Sequence, residues 1–137
     1  VLARRPEFFD LYLDLALEFA LPVRLSSADT ERSVGFPFRS LAAEEGVVFP
    51  DHHVATPGVG ARRTIESAVA ALEPGVTELH LHPAIDTPEQ RAFDPCWSQR
   101  VDDHHLLCFD TELPDQFRRA GVILIGYREL RDLQRAD

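Results

Sequence analysis

Val76-Thr77-Glu78-Leu79-His80-Leu81-His82-Pro83-Ala84 decides how the rest of the sequence is read. Polar and apolar residues alternate with period two, the pattern of a β-strand. Glu78, His80 and His82 then project from one face, and Thr77, Leu79 and Leu81 from the other. Pro83 has no N–H, so the ladder stops there and leaves His82 at the strand's end. In α/β folds, sites are built at the carboxyl ends of strands. A histidine brought there by a strand that also carries a carboxylate is the most function-like feature of the sequence.

On either side of this strand, helices alternate with short apolar segments. Pro6 to about Ala20 has helical spacing, with Phe8, Tyr12, Leu15 and Phe19 on one line and Phe9, Leu13, Ala16 and Ala20 beside it. Pro6 suits a first turn, where its missing N–H costs nothing. Val23-Arg24-Leu25 follows as a short strand, with Arg24 facing away from its apolar neighbours. Arg24 is read either as a solvated edge residue or as a site arginine. Ser26 to Phe38 reads as loop, and Leu41 to Gly46 as one or two helical turns with a glycine stop. Val47-Val48-Phe49 is another strand candidate, which runs into Pro50-Asp51-His52-His53. Asp51 and His52 suit a substrate or metal contact, and Asp after Pro equally suits a turn.

Arg62 to Leu72 reads as an amphipathic helix, ended by Pro74-Gly75 before the opening strand. Asp86 to Glu89 is a turn or helix start. Trp97 to Cys108 is helical, with Trp97, Val101, His105 and Cys108 on one side and Asp102, Asp103 and His104 largely on the other. Thr111 to Ala120 is a helix capped by Asp110 or Thr111 and stopped by Gly121. Val122-Ile123-Leu124-Ile125 is apolar throughout, as expected of a buried parallel strand. Tyr127 to Gln134 closes the sequence as a helix. This alternation predicts an α/β fold with a mostly parallel sheet.

Composition narrows the function. The 137 residues suffice for one domain with a core, and 45% hydrophobic with 27% charged residues is ordinary for a globular protein. A net charge of −9 argues against nucleic acid and anionic membranes, which select a basic surface. No stretch approaches the ~20 apolar residues of a membrane span. Two cysteines without C-x-x-C spacing, Cys96 and Cys108, read as reduced thiols in a cytoplasmic protein. All 14 basic residues are arginine, which reads as genome-composition bias. The sequence lacks methionine and runs from Val1 at once into helix-like sequence, which leads us to expect a piece of a longer protein.

Six histidines fall in three clusters, His52-His53, His80-x-His82 and His104-His105. His-x-His on a strand places both imidazoles on one face, a geometry that can chelate zinc. His82 alone as a general acid or base is the more economical idea. A nearby carboxylate, Glu78 or one from another strand, would orient it. Neither a nucleophile elbow, a P-loop nor a dinucleotide fingerprint is present.

Three segments together resemble the C-terminal half of the YdjC/ChbG family of carbohydrate deacetylases. They are Thr77-Glu78-Leu79-His80-Leu81-His82-Pro83-Ala84, Arg100-Val101-Asp102-Asp103-His104-His105-Leu106-Leu107, and Ala120-Gly121-Val122-Ile123-Leu124-Ile125-Gly126-Tyr127. Phe19-Ala20-Leu21-Pro22-Val23-Arg24 extends the likeness. The resemblance implies an α/β fold: a partial (β/α) barrel with mostly parallel strands, its N-terminal half missing, so that residues 1–137 form the C-terminal portion of one domain. A whole barrel takes ~250 residues. It implies hydrolytic removal of acetyl groups from N-acetylated sugars with a divalent ion, magnesium or zinc, which activates water and polarises the amide carbonyl.

By the same resemblance His82 is the catalytic acid, Glu78 matches the family's acidic residue on that strand, and Arg24 is a wall residue contacting substrate. With Asp51, named from its own strand-end setting, Glu78 and Arg24 are the expected substrate-binding residues. The metal ligands are expected upstream of Val1, with no metal tightly bound to this chain alone and no activity from it in isolation. The expected partner is an acetylated sugar or oligosaccharide, with a homodimer as the candidate assembly. Two other readings stay open. One is an amidohydrolase-type metallohydrolase using His80 and His82 as ligands. The other is a non-catalytic carbohydrate-binding remnant.

Overall fold

The computed structural model describes residues 5–55 and 60–136. Among them are eight helices and a two-stranded parallel sheet, and the chain divides into two compact units. The architecture is mixed α/β. Closure into a barrel is not seen among the described residues.

The first unit takes the chain up to His53, with Gly75–Glu78 and the segment from Leu124 onward. Helix α1 (Pro6–Glu18) begins with proline in its first turn and buries Phe9, Leu13 and Ala16. Tyr12 packs against that core, partly buried. Phe8, Leu15 and Phe19, expected on the same broad apolar face, are exposed. The helix stops at Ala20, which holds φ 47°, a left-handed conformation that disfavours a Cβ.

Val23 and Leu25 are buried and Arg24 points outward, as alternation predicts. However, Val23–Leu25 and Val47–Phe49 are not strands, contrary to expectation. One bond links them, from the Val23 N–H to the Val48 carbonyl at 2.9 Å. The Val48 N–H is taken instead by the side chain of Gln134, whose Nε2 also donates to the Gly46 carbonyl at 3.0 Å. A glutamine amide thus occupies the place a neighbouring strand's backbone would fill, and the ladder does not propagate.

Ser26–Phe38, expected as loop, contains helix α2 (Ala28–Val34). Ser27 caps it by accepting the Thr30 N–H at 3.3 Å, and Gly35 ends it at φ 70°. Helix α3 (Phe38–Glu44) contributes Phe38 and Ala42 to the core. Phe36 meets Phe9 edge-on, with ring centroids 5.3 Å apart. Helix α8 (Tyr127–Gln134) buries Leu130, and Arg135 just beyond it donates to the Phe19 and Ala20 carbonyls, each at 3.2 Å.

Strand β1 (His52–Ala55) pairs with strand β2 (Thr77–His80). β2 falls within the stretch that decided the fold. The boundary between the units passes through both strands, after His53 and after Glu78.

The second unit comprises Val54–Pro74 and Leu79–Ile123. Its helices are α4 (Ala61–Ala70), α5 (Pro88–Phe93), α6 (Trp97–Phe109) and α7 (Leu113–Arg119). Ala61, Ile65 and Leu113 form its core, with Leu79, Leu81, Leu106 and Phe117 packed around them. Leu79 and Leu81 therefore face inward together, as period two requires. On α6 neither expected side is buried as a whole, and Asp102 is exposed. Asp103 is buried and Leu106 packs on the core, whereas His105 and Cys108 are exposed. Val122–Ile125 is not a strand either, and Ile123 is 84% exposed. An all-apolar run becomes a buried strand only where neighbours cover both its faces, and among the described residues none pairs with it.

Candidate functional site

In the first unit the outward turn of Arg24 meets the carboxylate of Glu78. Arg24 Nε donates to Glu78 Oε1, and Nη2 forms an ion pair with the same oxygen. The Tyr127 hydroxyl, on the first turn of α8, donates to Glu78 Oε2 at 2.8 Å. Both Glu78 oxygens are thus engaged, and its side chain is only 8% exposed against 49% for Arg24. Tyr12, from α1, holds the backbone of Arg24. Its hydroxyl accepts the Arg24 N–H at 3.2 Å and donates to the Arg24 carbonyl at 3.3 Å.

The charges follow this geometry. Burial opposes the Arg24 charge, but the Glu78 carboxylate outweighs it and keeps the guanidinium more firmly protonated than usual. Tyr127 is pushed well above the ordinary phenol range, first by burial and then by the adjacent Glu78 carboxylate.

Asp51 sits in the same unit. Its Oδ2 accepts the Val76 N–H at 2.7 Å, which ties the segment before β1 to the segment before β2. Arg39 fixes the backbone around it, donating to the carbonyls of Ser26 at 3.0 Å, Pro50 at 3.0 Å and Asp51 at 2.7 Å. The Arg39 guanidinium also lies 4.7 Å from the centre of the Phe49 ring. Burial lowers the Arg39 pKa, against the pull of Glu31 and Asp51.

His82 belongs to the second unit. It is exposed and lies two residues beyond the end of β2. Its ring is 4.3 Å from that of His80, centre to centre. The Ala84 N–H donates to the Arg100 carbonyl at 3.0 Å, which fixes the chain just past Pro83. Arg100 is itself held by Asp94, whose carboxyl pKa is lowered first by the Cys96 N–H and further by Arg100.

Of the four residues named from the sequence, the structure joins Arg24 directly to Glu78 and places Asp51 in the same unit, on the strand backbone. His82 is in the other unit. Among the described residues no three His, Cys, Asp or Glu side chains gather as a metal site. No helix among them is long and apolar enough to cross a membrane. A groove of about 440 Å³ at the start of α4, lined by Arg62, Asp103, His105 and Phe109 among others, contains none of the four named residues.

Three residues that matter here were missed. From the sequence Tyr127 is only the first residue of the closing helix, Tyr12 one more apolar position on α1, and Arg39 falls between the expected loop and the next helix with no role assigned. The signal for the tyrosines was their scarcity, since the chain has two. A phenol is among the few side chains that can be buried yet still require a polar partner.

No protein-family model matches the chain, and no curated protein matches it. Among solved structures, it is similar to the crystal structure of a protein from Enterococcus faecalis V583 provisionally named for cellobiose-phosphate cleavage. The identity is 20% and the TM-score 0.77, over 95% of this chain and 49% of that one. At such identity the likeness concerns the fold. The chain spans about half the length of that solved structure and shares the fold of that half.

Proposed function

We propose that this chain is the C-terminal part of a carbohydrate amide hydrolase of the YdjC/ChbG type, which removes acetyl groups from N-acetylated sugars. In this reading His82 protonates the departing amine as the C–N bond breaks. The observation that carries the reading is the setting of His82: exposed, just past a strand that also carries a fixed carboxylate, on a backbone held at Ala84. Imidazole changes charge closer to neutral pH than any other unperturbed side chain, which suits it to hand a proton to a leaving nitrogen. The fold likeness to a protein named for a saccharide substrate supports the same class.

In this reading the family's divalent ion is held by residues outside this sequence. His80 and His82 bring two imidazoles together. The chain's own part in this reading is proton donation by His82 and ligand contact by Arg24. Glu78 and Asp51 hold the framework.

Acetate release from N-acetylchitooligosaccharides, measured on the protein that carries this sequence, tests the reading. His82→Ala should lower turnover by about 10²–10⁴-fold, the usual worth of a general acid. His80→Ala should leave it within a few-fold. Equal collapse in both variants, with loss of bound zinc, would favour the two imidazoles as metal ligands. Saccharide binding without turnover, unaffected by His82→Ala, would favour a binding module.

A further inference from the structure

Both tyrosines of the chain converge on one ion pair. Tyr12 fixes the backbone of Arg24 from α1, and Tyr127 fixes the carboxylate of Glu78 from α8. Tyr127 engages Oε2 of Glu78, while Arg24 directs both Nε and Nη2 at Oε1. The inner edge of the guanidinium is thereby used up. The Tyr127 hydroxyl also lies beside the guanidinium, whose side chain is half exposed. A planar fork held by its inner edge presents its outer N–H groups in a fixed direction.

We infer that Tyr12 and Tyr127 are positioning residues that set Arg24 to bind a neutral oxygen acceptor of a ligand, with Glu78 as the inner anchor of the arginine and not a ligand contact. Neutrality follows from charge. The Arg24 cation is already matched by Glu78, so the pair carries no net charge to attract an anion. The chain as a whole is at −9, which opposes anions further. The acceptors that fit are a sugar hydroxyl or an amide carbonyl oxygen. The saccharide identity of the ligand rests on the function proposed above, whereas the arrangement of Arg24 does not.

The test follows the Arg24 Nε–Hε signal by NMR while N-acetylchitotriose or inorganic phosphate is added. N-acetylchitotriose should shift the signal and phosphate should leave it in place. Tyr127→Phe should remain folded, lose exchange protection at Arg24 Hε, and bind the trisaccharide about five- to tenfold more weakly, as expected for one lost hydrogen bond. Glu78→Gln, which keeps the volume and removes the charge, should weaken binding in the same direction. The inference is overturned if Tyr127→Phe binds the trisaccharide as tightly as the parent with an unchanged Arg24 signal. It is overturned equally if phosphate shifts that signal and the trisaccharide does not. A parent protein that binds no saccharide, with Hε protection still lost in Tyr127→Phe, supports the positioning role and defeats the saccharide reading alone.

Discussion

Gly75 lies so close to Asp51 that a Cβ at position 75 would sit 2.5 Å from the Asp51 Oδ2. The same oxygen accepts the Val76 N–H, so the carboxylate cannot swing aside without giving up a bond. Gly75 also holds φ 116°, a conformation in which L side chains are strained. Gly75→Ala should therefore destabilise the protein by about 2–4 kcal/mol, combining backbone strain with the lost hydrogen bond. Urea unfolding of Gly75→Ala, Asp51→Ala and the double variant separates the two causes. In the Asp51→Ala background the added cost of Gly75→Ala should shrink to the strain alone. Simple additivity of the two would refute the contact.

Asp103 presents a different case, because its partner is a backbone group. It is buried, and its Oδ1 accepts the Ala61 N–H at 2.8 Å, at the start of α4. Asp103→Ala strands that N–H away from water and should cost about 1–3 kcal/mol. Asp103→Asn keeps an acceptor oxygen and should recover most of the loss. Thermal melting of the two variants gives the comparison, and equal losses would mean that the carboxylate charge matters more than the acceptor.

Asp110 predicts how stability responds to acid. Its carboxyl pKa is lowered, first by the Leu113 N–H and then by the neighbouring Arg62. A group whose folded pKa lies below its unfolded one binds fewer protons when folded. Its contribution is complete above the ordinary aspartate value of about 3.9 and is lost as the pH falls through the lowered one. Asp110→Ala should thus be less stable than the parent at pH 7, and the gap should close as the pH falls below 3.9. Urea midpoints across that range read the effect, and a gap independent of pH would disprove the linkage.

The long amphipathic helices and the central strand were legible in the sequence because periodicity alone specifies them. The Pro6 start of α1, the Thr87-Pro88 start of α5 and the whole of α8 fall where their residues predict. Helix α2 was not legible because none of its residues is buried, so it leaves no apolar stripe and is marked only by its Ser27 cap. Val47–Phe49 and Val122–Ile125 have strand composition, but a strand exists only where a neighbour supplies the ladder, which composition does not encode. At the site, Arg24 and Glu78 could be named singly from their strand-like settings. Their pairing across 54 residues of sequence, and the role of Tyr127, could not be read.

The clasp made by Gln134 and Arg135 bears on the order in which the first unit's contacts can close. The residue that binds the carbonyl of Ala20, just past helix α1, follows 115 positions later. The second unit's own segments lie between, and their contacts can form while that clasp is still untranslated. Helix α1 gains its apolar cover from nearby residues such as Val23, Leu25 and Phe38, and only its last carbonyls depend on so distant a partner.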